Sequence, residues 1–172
     1  DLVLESKIPK IVEKLLPYAN GFKLKTYYIP AYYFTLKVAK TDKLGKYEPV
    51  LFKAFLLRVA ERIAKKEKAN LIFTGESLGQ VSSQTPLNIR ASQEGIKLPV
   101  LRPLIGFDKE EIIDIAKKID TYNLSINPYP DVCSINARNP STAAKHEIIK
   151  KMLKEMEISK IVRETLKESI EK

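Results

Sequence analysis

LIFTGESLGQVSSQT, residues 71–85, passes from a short apolar run into a stretch of glycine, hydroxyl and amide side chains. The run ends on Gly75 and directly follows the strongest helix pattern of the chain, EPVLFKAFLLRVAERIAKKEK at 48–68. A short apolar run after an amphipathic helix is typical of a buried parallel strand, and parallel strands need crossover helices. The stretch therefore predicts an α/β fold with a parallel sheet.

Apolar periodicity predicts the elements on either side of this stretch. In the long helix, one buried stripe is expected from Phe52, Phe55, Leu56, Val59, Ala60 and Ile63. The other predicted elements are a helix over 4–17, a strand over 22–30, a short helix and a polar loop over 31–48, a strand or extended run over 98–107, a helix over 108–119, a long polar loop over 120–142, and two final helices.

Two helix starts are also predicted from capping residues. Asp108 and Glu111 are three residues apart, as in a capping box, and this role is favoured over an acid/base pair. Asn139 and Pro140 fit the N-cap and the first residue of the next-to-last helix.

Composition favours one folded domain over 1–172. The apolar fraction of 44% can bury a core, and it excludes a disordered or fibrous chain. No apolar run is long enough to cross a membrane and no secretory signal is present, so we expect a soluble, intracellular protein without a membrane partner. The net charge of +9 fits either a polyanionic partner or a solvated Lys/Glu surface. The lone Cys133 can form neither an internal disulfide nor, by itself, a zinc site, and we predict no metal site.

The polar part of the opening stretch is a candidate ligand loop. Ligands of open α/β sheets bind beyond the carboxyl ends of the strands, and Gly75 and Gly79 would let the backbone approach one closely. Gln80 and Gln84 would share a face if the segment were helical. The spacing matches neither common glycine-rich nucleotide motif, so a plain strand-to-helix turn stays open.

Lys53 and Cys133 have two interpretations each, and His146 has one. Lys53 lies in the apolar stretch LFKAFLL, where its charge must extend to solvent, the favoured interpretation, or meet an anion. Cys133 lies in a polar loop ahead of a helix, where it is either a reactive thiolate or inert. His146 has no acid or nucleophile at a characteristic spacing and is interpreted as a surface residue.

Taken together, TGESLGQVSSQT, PVLRPLIGFDKEEIIDIAKKI and PYPDVCSINARNPST resemble the tRNA 4-thiouridine synthases, the ThiI family of sulfurtransferases. The resemblance covers 50–145 well, 1–49 loosely and 146–172 hardly. It implies a doubly wound, mostly parallel sheet of the PP-loop ATP pyrophosphatase type, related to the adenine nucleotide alpha hydrolases. It also implies an enzyme that adenylates the C4 oxygen of a tRNA uridine with ATP and replaces that oxygen with sulfur.

The resemblance assigns roles to individual residues. It implies ATP, with Mg²⁺, at Lys53, Gly75 and Gln84, with Thr74 and Gln80 as candidate supports. For Lys53 this reverses the interpretation made from its neighbours alone. Cys133 would take part in sulfur delivery by forming a transient disulfide after a persulfide has given up its sulfur.

The sequence departs from the family pattern in two places. It lacks the S-G-G-x-D-S pyrophosphatase loop and the N-terminal RNA-binding domain, so we expect both upstream of Asp1 and an inactive isolated chain. It also lacks a rhodanese-like domain, so sulfur would come from a persulfide-carrying protein, from sulfide or from Cys133 itself.

The implied protein is cytoplasmic and has tRNA as its partner. A homodimer and a role in thiamine thiazole synthesis stay open. Two alternatives remain: a non-catalytic RNA-binding domain, and another PP-loop adenylating enzyme such as a tRNA 2-thiolation enzyme. The second usually has paired cysteines, whereas this chain has one.

Overall fold

The computed structural model of the chain describes residues 5–128 and 139–172. The helices are α1 (Lys7–Leu15), α2 (Tyr32–Ala39), α3 (Glu48–Lys66), α4 (Pro86–Ser92), α5 (Lys109–Lys118), α6 (Tyr122–Ser125), α7 (His146–Glu155) and α8 (Ile158–Lys167). The strands are β1 (Tyr27–Tyr28), β2 (Ile72–Phe73), β3 (Val100–Leu101) and β4 (Ile170–Glu171), and short 3₁₀ helices cover Leu16–Ala19, Asp42–Tyr47 and Ser82–Gln84.

The hydrophobic core is built around α3, which packs against α2, α4, α7 and α8. Phe55 of α3 is fully buried, and its ring stacks on Phe34 of α2 with 5.2 Å between ring centroids. The predicted stripe was wrong at Leu56, which is 37% exposed, whereas Leu51 and Ala54 are fully buried. Because helices pack on several sides of α3, its buried surface is wider than a single stripe.

The α/β prediction is confirmed by a parallel pair of strands, β2 and β3, which are connected in the sequence through the helix α4. β2 and β3 pair in parallel, with Ile72 opposite Val100 and Phe73 opposite Leu101. A large, mostly parallel sheet is not seen in the described part of the chain. Its two sheets have two strands each, and the other sheet is the antiparallel pair of β1 and β4.

The predicted strand over 22–30 was too long, because only Tyr27 and Tyr28 form β1. Their partner β4 was not predicted. The two chain segments also exchange backbone hydrogen bonds between Thr26 and Lys172, 2.8 and 2.9 Å long. The C-terminus is therefore tied to the segment that follows α1.

The capping box of α5 is confirmed. Asp108 Oδ1 accepts from the N–H of Glu111 at 2.9 Å, and Glu111 Oε2 accepts from the N–H of Asp108 at 2.8 Å. The predicted start of α7 was wrong, since α7 begins at His146 with Lys145 at its N-cap. Helix α6 lies inside the segment predicted to be a long loop.

None of the helices found in 5–128 and 139–172 is both long and apolar enough to span a bilayer.

Candidate functional site

The candidate loop begins at the carboxyl end of β2, where the backbone is open on one side. The N–H of Thr74 still donates to the carbonyl of Leu101 in β3, at 3.0 Å. A Cβ added at Gly75 would meet no atom within 4 Å, so there is free space beside the backbone. The N–H groups of Gly75 and Glu76 donate to no other residue that the structure describes. Two backbone donors without a described partner, and free space beside Gly75, thus lie at the edge where ligands of α/β sheets bind.

The rest of the loop is held in shape by Gln84 and Gly79. Gln84 Oε1 accepts from the N–H of Ser77 at 3.2 Å, and the Gln84 carbonyl accepts from the N–H of Gly79 at 3.0 Å. Gly79 has a φ of +75°, which a residue with a side chain rarely adopts. Gln80 is exposed in this turn, and it shares no helix face with Gln84 because only Ser82–Gln84 is helical, as a 3₁₀ turn. Gln84 therefore stabilises the loop through its side-chain oxygen and its backbone carbonyl.

A buried carboxylate lies directly behind the open backbone. The side chain of Glu76 is only 3% exposed, and its Oε2 accepts from Arg102 Nε at 2.8 Å and from Thr74 Oγ1 at 2.9 Å. Its other oxygen, Oε1, has no hydrogen-bond partner among the residues that the structure describes, but lies 3.9 Å from Lys53 Nζ. A buried carboxylate needs such cations, because an isolated charge is costly to take out of water.

Lys53 therefore does not simply extend into solvent. Its side chain is 29% exposed, and its ammonium nitrogen lies 3.9 Å from the buried carboxylate of Glu76. The fold brings Lys53 and Thr74 together with the residue next to Gly75, although α3 and the loop are separate in sequence. The sequence interpretation missed Glu76 and Arg102 as members of the site. A signal was available, since each is the single charged residue in an otherwise uncharged stretch, LIFTGESLGQVSSQT and PVLRPLIGF.

Asn88 of α4 connects this loop to the segment that begins at Asn139. The residue is fully buried, and its Nδ2 donates to the carbonyls of Ser82 at 2.6 Å and Ser141 at 2.7 Å. Its Oδ1 accepts from the N–H of Ala144 at 2.8 Å. These bonds hold the non-helical segment 141–144 against α4, so that α7 starts later than predicted. Cys133 lies outside the described residues, so its predicted role stays a prediction.

His146 is not the isolated surface residue that the sequence suggested. Its Nε2 lies 2.6 Å from Glu94 Oε2, and its side chain is 31% exposed. This contact joins the first residue of α7 to the segment just after α4. Sequence spacing could not reveal it, because the two residues are far apart in the chain.

Comparison with known proteins decides the family. The family model described as Thiamine biosynthesis protein (ThiI) matches residues 3–158, most of the chain. The chain belongs to the ThiI family. A probable tRNA sulfurtransferase of Saccharolobus islandicus is 40% identical over 136 residues, which cover 79% of this chain and 36% of the relative. A probable tRNA sulfurtransferase of Coxiella burnetii is 39% identical over 163 residues, 91% of this chain and 41% of the relative.

A solved ThiI-like structure also matches the fold. The crystal structure of a 4-thiouridine synthetase–RNA complex with bound ATP superposes with a TM-score of 0.88 and 32% sequence identity, covering 96% of this chain and 43% of that one. The chain thus spans well under half the length of these relatives.

The candidate site has the donors that a nucleotide requires. Phosphate oxygens are bound by backbone N–H groups and cationic side chains. Both are supplied here by the N–H groups of Gly75 and Glu76, which bond to no described residue, and by the partly exposed side chain of Lys53. The residues present therefore fit a nucleotide phosphate group.

Proposed function

We propose that this chain forms part of an ATP-dependent tRNA sulfurtransferase that converts a tRNA uridine to 4-thiouridine. The observation that carries the proposal is the placement of the Lys53 ammonium nitrogen 3.9 Å from the carboxylate of Glu76, the neighbour of the exposed Gly75, at the carboxyl end of a parallel strand. ThiI family membership, and a similar protein whose structure contains RNA and ATP, support the choice of reaction.

In this proposal Lys53 and the loop bind ATP. The ammonium group and the N–H groups of Gly75 and Glu76 bind phosphate oxygens, and Thr74 and Gln84 hold the loop in its open shape. Gln80, exposed in the turn, is proposed as a further support. The C4 oxygen of uridine would form a bond to the α-phosphorus of ATP while pyrophosphate leaves, and the resulting adenylate would make that oxygen a good leaving group. Mg²⁺ is proposed to accompany the phosphates, since it is usually held by them with water and one or two carboxylates.

The sulfur step is assigned to Cys133 and an external persulfide. The terminal persulfide sulfur forms a bond to C4, and AMP leaves with the oxygen. The Cys133 thiolate then attacks the donor sulfur, so that the S–S bond to the transferred sulfur breaks and its electron pair stays on the new thiouridine. A disulfide between Cys133 and the donor remains and must be reduced by a thiol before the next cycle.

Substitution of Cys133 separates the two steps. We expect Cys133→Ser to slow 4-thiouridine formation with a persulfide donor at least about tenfold, because its hydroxyl is a far weaker nucleophile than a thiolate. Adenylation, measured as tRNA-dependent release of pyrophosphate from ATP, should stay at the wild-type rate. Equal thiolation rates for the variant and the wild type would show that Cys133 has no part in sulfur transfer.

The region outside the chain is proposed to complete the ATP site. Phe73 and Leu101 lie opposite each other on the parallel pair, yet they are 63% and 45% exposed. Apolar residues on a sheet face are normally covered. We propose that upstream sequence with the S-G-G-x-D-S loop covers this face, and that an RNA-binding domain precedes it. We also propose that the protein works in the cytoplasm, on the tRNA pool.

A non-catalytic RNA-binding domain is the competing function. The net charge of +9 is the observation that favours it, because cationic surfaces bind RNA without chemistry. The two functions differ in whether tRNA stimulates ATP cleavage to AMP and pyrophosphate.

The experiment uses the full-length protein, ATP labelled in the α-phosphate, and tRNA. We expect tRNA-dependent AMP formation that falls at least about tenfold in Lys53→Met, because loss of a charge-assisted bond to phosphate costs on the order of 1.5–3 kcal/mol. RNA binding without AMP formation would favour the competing function.

A further inference from the structure

The buried pair of Glu76 and Arg102 has a geometry that a purely structural ion pair does not need. One carboxylate oxygen, Oε2, takes both strong hydrogen bonds, from Arg102 Nε at 2.8 Å and from Thr74 Oγ1 at 2.9 Å. Arg102 is held in turn by Nη1, which donates to the carbonyl of Val100 at 3.2 Å. The orientation of the Glu76 side chain is therefore fixed from both strands of the parallel pair.

The other oxygen, Oε1, faces Lys53 without bonding to it. The distance of 3.9 Å from Lys53 Nζ is too long for a hydrogen bond, and Oε1 is buried with no other partner. At this distance the charges still attract, and strongly, because the carboxylate is shielded from water. The ammonium group of Lys53 makes no hydrogen bond to any residue that the structure describes.

We propose that Glu76 and Arg102 are positioning residues for Lys53. Arg102 and Thr74 hold the Glu76 carboxylate, and its free oxygen holds the Lys53 ammonium group near the open backbone of Gly75 by charge alone. The three N–H bonds of Lys53 then remain available for an anion. This inference rests on the proposed ATP site, and it assigns no contact with ATP to Glu76 or Arg102.

The proposal predicts whether ATP binding becomes weaker or stronger when the charge of Glu76 is removed. A carboxylate this close to a phosphate site should weaken ATP binding by repulsion if it had no other effect. Its removal in Glu76→Gln would then strengthen binding. If Glu76 positions Lys53, Glu76→Gln should weaken ATP binding by about five- to tenfold, within the range of pairwise couplings between contacting residues.

A double-mutant cycle in the full-length protein tests the path through Lys53. The dissociation constant of ATP is measured by calorimetry for the wild type, Glu76→Gln, Lys53→Met and the double variant. We expect Glu76→Gln to weaken binding in the wild type and to change it less than twofold once Lys53 is methionine. Equal weakening in both backgrounds, or tighter binding in Glu76→Gln, would overturn the proposal.

Two further variants separate positioning from folding. Thr74→Val keeps all charges and removes one bond to Oε2, so a smaller weakening that also disappears in Lys53→Met supports the proposal even if Glu76→Gln does not fold. The control is Glu61→Gln, in which a buried carboxylate of α3 loses its ion pair with Lys65 at 3.3 Å, and the N–H groups of Lys97 and Leu98 donate to a neutral oxygen instead of a charged one. The Glu61→Gln variant should unfold at a lower urea concentration than the wild type and bind ATP with the same dissociation constant.

The outcomes also distinguish this inference from the proposed function. A wild-type protein that does not bind ATP, or binds it equally well as Lys53→Met, would overturn both. ATP binding that needs Lys53 but responds additively to Glu76→Gln would overturn the positioning role alone.

Discussion

Asn88 shows how one buried amide can set the path of a distant segment. It makes three hydrogen bonds, two to carbonyls of Ser82 and Ser141 and one to the N–H of Ala144. In Asn88→Leu these three backbone groups would lose their side-chain partner, and the N–H of Ala144 would stay buried without one. We expect the free energy of unfolding, measured with urea, to fall by about 2–4 kcal/mol.

The exposed Asn123 of α6 is the matched control. Asn123→Leu should change the free energy of unfolding by less than about 0.5 kcal/mol, as surface substitutions usually do. A loss of similar size in both variants would mean that the hydrogen bonds of Asn88 add little to stability.

Gly75 and Gly79 lie in the same loop but are glycine for different reasons. Gly79 has a left-handed backbone, so Gly79→Ala should lower the free energy of unfolding by about 1–2 kcal/mol. Gly75 has no left-handed φ, and an added Cβ meets no atom within 4 Å. Gly75→Ala should therefore leave stability unchanged and weaken ATP binding, because the methyl group fills the space that the nucleotide needs. Urea unfolding and ATP titration of both variants check this; ATP binding to Gly75→Ala at wild-type strength would exclude close approach at this position.

The environment of Lys53 shows the limit of local sequence reasoning. The sequence predicted correctly that a lysine in an apolar stretch must reach either solvent or an anion. It could not identify that anion as Glu76, because the contact depends on how α3 packs beside β2. The interpretation of Gln84 as a ligand residue is still untested, whereas its bonds within the loop are a tertiary feature that spacing alone does not reveal.

A cluster of charges joins the end of α3 to the segments of β1 and β4. Glu67 accepts hydrogen bonds from Lys25 and from Tyr27, and Glu171 pairs with Lys66 at 2.6 Å. The hydrogen bond from Lys25, and then that from Tyr27, lower the pKa of Glu67 below its ordinary value. Lys66 does the same to the pKa of Glu171.

Because these carboxylate pKa values are lowered on folding, the free energy of unfolding depends on pH in the acid range. Because these pKa values are lower in the folded chain than in the unfolded one, the stabilisation is complete above the ordinary value of 4.5. This stabilisation is lost as the pH falls below 4.5 and through the lowered pKa values of Glu67 and Glu171. We expect Glu67→Gln to lower the melting temperature at neutral pH and to differ progressively less from the wild type below the ordinary value.

Glu13→Gln serves as a control, since the Glu13 side chain has no ion-pair partner within the described ranges. Its melting temperature should follow the wild type at every pH. A constant difference between Glu67→Gln and the wild type across the acid range would contradict the assignment of the pH dependence to this cluster.

Elements with local signals were predictable, and those defined by distant partners were not. The helix α3 has its apolar periodicity within its own sequence, and the capping box of α5 uses two residues three apart. By contrast, β4 is a strand only because Tyr27 and Tyr28 lie beside it. The start of α7 depends on Asn88, more than fifty residues earlier, so the pattern of Asn139 and Pro140 was misleading.

The assembly of these elements leaves one face of the parallel pair uncovered and a cationic group beside an open loop. Both features fit a chain that spans less than half the length of its ThiI relatives. We propose that the complete protein uses this loop and Lys53 to thiolate tRNA at C4 of a uridine.

The most direct test is the nucleoside content of tRNA after incubation with the full-length protein, ATP and a sulfur donor, read by mass spectrometry against standards of 4-thiouridine and 2-thiouridine. We predict 4-thiouridine that is absent without ATP and reduced at least about tenfold in Lys53→Met, since the charge-assisted phosphate bond is lost. The accumulation of 2-thiouridine, or unmodified tRNA despite bound ATP, would contradict the account.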